Sequence, residues 1–230
     1  MALSSSEAHV FLRPTFYIDS DHTDVMQFAR DVVAGETDAA AKAIALFNAV
    51  RDGIRYDPYN IDFSPAAMRA SAVLQRRQGF CVPKAVLLAA VARAEGIPSR
   101  LGFADVRNHL TTERLRQLMQ TDVFVFHGYT DLYLHDQWVK ATPAFNASLC
   151  ERFNVEPLAF DGHHDALLQQ TDRKGNRYME YLRDRGRYAD LPLDTLRQSF
   201  EETYPLAAGT AVSDVTATFE DDALRQGDSR

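Results

Sequence analysis

Between residues 38 and 54 (DAAAKAIALFNAVRDGI) the inward-facing set returns every three or four residues, at Ala41, Ile44, Ala45, Phe47, Asn48 and Val50. That spacing predicts an amphipathic helix. The RYDPYNIDF stretch at 55–63 breaks it. A second helix is predicted over 82–95. Pro83 fits a first turn, where its missing N–H would be unpaired anyway, and Gly96 fits a left-handed stop. The apolar residues of this helix run nearly all the way round. It therefore belongs in the middle of a core, with Cys81 at its N-terminal end.

Farther along, Thr111 or Thr112 can cap a short helix, TERLRQLM, whose Leu115, Leu118 and Met119 share one face. Residues 123–134 (VFVFHGYTDLYL) are rich in β-branched and aromatic side chains, and WVKAT at 138–142 follows a polar turn at His135, Asp136 and Gln137. These read as an antiparallel hairpin that returns Thr142 to within a few residues of the level of His127. The basic, tyrosine-bearing stretch at 173–192, with Tyr178, Tyr181 and Tyr188, reads as a charged helix face. Helices first and sheet afterwards is an α+β order. One domain is expected over 1–205. The small, polar and acidic stretch at 206–230 is expected to be a mobile or loosely docked tail.

A chain of 230 residues, 46% hydrophobic, can bury one sizeable core. Its formal net charge is −7 and its 25 basic residues are scattered, so it lacks the electrostatic footprint for nucleic acid or an anionic membrane surface. The longest uncharged apolar run, 85–92, is far shorter than the roughly 20 residues a membrane span needs. The first residues carry no basic start with an apolar stretch behind it, so a cytoplasmic location is expected. In that setting the two cysteines, Cys81 and Cys150, are not expected to form a disulfide. His163, His164 and Asp165 sit adjacent, without a partner one helical turn away, and read as a solvated turn rather than metal ligands. No phosphate-cradling glycine loop is present, so neither a metal nor a nucleotide cofactor is expected.

Chemistry concentrates at Cys81. A thiol is a nucleophile only as thiolate, and the positive end of a helix dipole is expected to lower its pKa toward neutrality. Gly79 frees the backbone to turn into the helix, and N–H groups at a helix start can hold a developing oxyanion. Among seven histidines His127 is the best base: it lies in the strand pattern, in step with Val123, Val125 and Tyr129, and Gly128 leaves room beside its ring. Taken singly, each has an ordinary alternative. A buried cysteine is commonly a small hydrophobe, and a strand histidine is commonly a satisfied core residue.

Two blocks taken together resemble the transglutaminase-like superfamily. QGFCVPKAVLLAAVARAEGIPSRLGF is similar to that family's nucleophile helix and following strand, with Gly79, Cys81, Gly96, Ile97, Pro98 and Arg100 matching. HGYTDLYLHDQWVKATP is similar to its histidine block, with His127, Trp138, Val139 and Pro143 matching, and Asp57 in IRYDPYN resembles the segment upstream. The resemblance covers about 50–146. It implies a papain-like α+β core in which a buried helix carrying the cysteine packs on an antiparallel sheet carrying the histidine, and a Cys81 thiolate that acts with His127 as base.

Where the family places the aspartate that orients the histidine, this chain has Thr142. A hydroxyl can hold the imidazole tautomer but cannot stabilise imidazolium as a carboxylate does. Asn146 and Asp131 are rivals for the role, and Gln75, six residues before the cysteine, is a weaker candidate oxyanion donor. The pocket walls are expected from the 104–122 insert and the 143–170 loops. The implied activity is hydrolysis of, or transamidation at, an amide of a peptide or protein through a Cys81 thioester. The alternative is a degenerate, non-catalytic domain that binds a peptide or protein partner.

Overall fold

The computed structural model describes residues 3–204 and 218–227. In chain order the elements are α1 (Ser5–Leu12), α2 (Thr23–Val33), α3 (Ala39–Gly53), β1 (Arg55–Tyr56), α4 (Ala70–Arg76), β2 (Gln78–Gly79) and α5 (Cys81–Ala94). There follow β3 (Ser99–Asn108), α6 (Glu113–Met119), β4 (Val123–Leu134), β5 (Gln137–Ala141), α7 (Ala147–Arg152), β6 (Met179–Tyr188), α8 (Leu193–Thr203) and α9 (Phe219–Gly227). Of the 206–230 tail, 206–217 and 228–230 lie outside the described residues. Phe219 and Ala223 of α9 are buried.

Helix α5 is the centre of the molecule. Every residue from Cys81 to Arg93 is buried, because α2, α3 and α4 pack on it from one direction and β4 and β3 from the other. Gly96, at φ +77°, ends it as expected, and the Ile97 N–H reaches back to the Ala92 carbonyl. The buried cation on α5 is paired. Lys84, fully buried on α5, donates to the carbonyls of Arg51 and Ile54 at the end of α3, where a cation also meets the negative end of the helix dipole. The α3 helix itself buries Ala40, Ala43, Leu46, Phe47 and Val50, a stripe rotated from the anticipated one, and Asn48 is exposed. The alanine-rich sequence offers several usable faces, and contact with α5 selects among them.

The main sheet has the order β5-β4-β3-β6 and is antiparallel throughout. Its hairpin turns through His135 and Asp136, both with positive φ, the tight two-residue geometry that suits strand twist. Strand β6 corrects the expectation of a charged helix at 173–192. Two of its arginines pair with buried carboxylates on other strands: Arg185 with Asp105 of β3, and Arg187 with Asp131 of β4. Those partners are remote in sequence, so local charge patterning could not reveal the strand. The α+β architecture with a helix-on-antiparallel-sheet core is as the residues implied. Among the described residues no helix is long and apolar enough to cross a membrane.

Candidate active site

Cys81 is the first residue of α5, delivered there by a two-residue parallel ladder in which Arg55 pairs with Gln78 and Tyr56 with Gly79. Gly79 is needed here for space rather than for a sharp turn, since a Cβ would lie 2.9 Å from Pro83 Cγ. The sulfur faces the backbone N–H groups of Gly128, Val82 and Cys81 itself, which lower its pKa. Burial outweighs them and pushes the thiol up to about 11. The anticipated shift toward neutrality is therefore overturned in this enclosed state.

His127 lies on β4 and lines the same cavity as Cys81. Directly before it the strand bulges: Ala104 pairs with His127 and Val106 with Phe124, so Val125 and Phe126 together oppose Asp105. The alternation of Val123 and Val125 thus does not run through to His127. Phe126 takes a left-handed φ of +52°, its N–H held by the Asp105 carboxylate. The imidazole is 3% exposed, its Nε2 makes no hydrogen bond, and burial lowers its pKa to about 4. Thiol and imidazole are consequently both neutral near pH 7.

The three candidates for orienting His127 separate by their partners. Asn146 accepts from the Tyr56 N–H and donates to Ser148 and Glu220, which ties down the Tyr56 backbone. Asp131 is held through Oδ2 by Arg100 at 2.9 Å and Arg187 at 3.1 Å. Thr142 is buried just past the end of β5, and its hydroxyl makes no hydrogen bond. The β4–β5 ladder ends where Thr130 meets Ala141, next to Thr142 but short of His127. Gln75 is exposed on α4 and does not line the cavity.

The cavity measures about 90 Å³. The α6 insert supplies Leu115, Leu118 and Met119 as anticipated. Other parts of the wall come from Tyr56 of β1, from Tyr59 and Ile61 just after it and from Phe200 and Tyr204 at α8, and none from the 143–170 loops. Asp57 organises the first of these segments by accepting from the Tyr59 N–H and from the Asn60 and Gln78 amides. The C-terminal helix then braces it. Phe219 packs on Tyr56 and Tyr59, and the Tyr59 hydroxyl donates to Asp222. With its one proton so used, Tyr59 takes its bond to the α6 cap from the Thr112 hydroxyl. Patterning pointed to the insert, but nothing local marks α8 or α9 as neighbours of the thiol.

Elsewhere Cys150 is buried and unpaired, like Cys81. His163 stacks on His135 with ring centroids 4.5 Å apart, and His164 bonds Asp161. Among the described residues no group of three or more metal-binding side chains is clustered.

An all-buried helix that begins at a cysteine and packs on an antiparallel sheet bearing a histidine is the papain-like α+β fold. The family model of the transglutaminase-like superfamily matches residues 26–143, and the chain belongs to that superfamily. Among solved structures it is similar to a proposed cysteine protease from Cytophaga hutchinsonii, at 20% identity and a TM-score of 0.48, over 61% of this chain and 43% of that one. It is also similar to a proposed protease from Parabacteroides distasonis, at 15% identity and a TM-score of 0.38, over 58% and 25% of the two chains. The match thus spans less than half the length of either structure. No curated protein sequence matches the chain.

Proposed function

We propose that this protein is a cysteine-nucleophile acyl-transfer enzyme that hydrolyses an amide in a peptide or protein. The observation that carries the reading is the shared cavity wall: the thiol at the start of α5 and the imidazole of β4 border one enclosed space. Because both groups rest neutral, His127 takes the proton as Cys81 Sγ attacks the acyl carbon, rather than holding a ready-made thiolate. The proton passes to the leaving amine as the C–N bond breaks, leaving a thioester. Water, deprotonated by His127, then releases the acid and restores the thiol; an amine in place of water would give transamidation. N–H groups at the start of α5 stabilise the oxyanion, and Thr142, whose hydroxyl is unbonded in the resting structure, is the candidate to hold the ring once that hydroxyl turns to it.

Intact-mass analysis of the Cys150→Ser protein exposed to activated acyl esters tests this. A single acyl adduct is expected, absent in Cys81→Ala and formed at least about 100-fold more slowly in His127→Ala, the scale of general-base assistance. An adduct rate indifferent to His127 would leave the degenerate binding domain as the better account.

A further inference from the structure

We infer that the cavity beside Cys81 selects substrates whose acyl part carries a short branched aliphatic group of three to four carbons. This rests on the acyl-transfer reading of the same site and adds its specificity. No Asp, Glu, Lys or Arg lines the space among the described residues. Two of its three tyrosine hydroxyls are already engaged: Tyr59 by Asp222 and Thr112, and Tyr204 by the Val123 carbonyl and the Val125 N–H. The other polar side chains on the wall are those of Cys81, His127 and Tyr56, and the His127 Nε2 makes no hydrogen bond. A carboxamide or ammonium entering this space would leave its water partners and find none in exchange.

Size decides among apolar groups. A cavity of about 150 Å³ is the scale that admits benzene. At about 90 Å³ this one is smaller, a size that suits an isobutyl or isopropyl group better than an aromatic ring. Leu118 and Met119 of α6 and Phe200 of α8 are among its apolar wall residues.

The test uses the full chain with p-nitrophenyl esters of acetate, isovalerate, benzoate and glutarate, following nitrophenolate release together with the mass of the adduct. Isovaleryl transfer to Cys81 is expected to exceed acetyl transfer by about 10-fold or more, the scale of added methylenes in an apolar pocket. Benzoyl and glutaryl should be slower than isovaleryl. In Leu118→Trp the isovaleryl-to-acetyl ratio should fall toward one. Equal or faster acetyl or glutaryl transfer, with the adduct still on Cys81, overturns the specificity while leaving the proposed chemistry standing. Should no ester acylate Cys81, the chemistry fails, and the pocket is judged by binding alone: isovaleramide must shift the Met119 methyl resonance more than acetamide does, and equal or absent shifts overturn the inference.

Discussion

A Cβ placed on Gly128 would stand 3.0 Å from the Cα of Val82, so only a glycine lets β4 close on the first turn of α5. Gly128 follows His127 and Val82 follows Cys81, so this contact joins the two segments that carry the proposed base and nucleophile. Gly128→Ala is expected to destabilise the fold by about 1–3 kcal/mol, the usual cost of overpacking. It should also slow acylation of Cys81 more than the lost stability accounts for. Urea denaturation alongside adduct formation measures both.

His127 binds its proton near pH 4 when folded and near 6.5 when exposed. Between those values the unfolded chain holds a proton that the native state refuses, so stability falls as pH drops from 6.5 to 4. At about 1.4 kcal/mol per unit the full loss is of order 3 kcal/mol. In His127→Gln this part of the acid sensitivity should disappear, a difference visible in urea midpoints at pH 7 and pH 4.5.

Lys84 titrates in the opposite part of the scale. Burial lowers its pKa from 10.5 to about 7, so the unfolded chain binds the extra proton between these values and native stability rises across that window. Replacing it leaves two buried carbonyls without a donor. Lys84→Met is expected to cost about 2 kcal/mol at pH 7, and the gap to wild type should widen toward pH 9 as the wild type gains.

Thr142 and Asn146 are separable. Thr142→Asp places a carboxylate where the family resemblance expects the acid that orients His127, which should raise the His127 pKa and speed acylation. Asn146→Ala should instead lower the thermal midpoint, since it releases the Tyr56 backbone and Glu220, and leave the histidine titration unmoved. Histidine NMR titration distinguishes the two.

The fold was legible where its signals are local. The continuous apolar face of α5, Pro83 in its first turn, Gly96 at its end and the threonine cap of α6 each act within a few residues, and all of them appear. The features that escaped depend on distant partners. The β6 strand is defined by its ladder with β3, and its Arg185 and Arg187 pair with Asp105 and Asp131 far away in sequence, while the phase of α3 is chosen by what packs on it. Within the site, both cavity-lining candidates were readable from residue type and order. The bulge ahead of His127 was not, because an extra residue in one strand is defined only against its neighbour. Nor was the resting charge state of Cys81, where burial by the whole assembly overrides the helix terminus beneath it.

The Tyr59 hydroxyl sits between two elements that are far apart in the chain, accepting a hydrogen bond from Thr112 and donating one to Asp222. Neither the start of α6 nor α9 can withdraw from the cavity wall without breaking a bond to the same oxygen. The two ends of the relay strengthen each other, because a donor polarised by the carboxylate is a better acceptor for the threonine. Loosening one side therefore weakens the other, so the Tyr59 segment beside Cys81 is held from the α6 side and the α9 side at once.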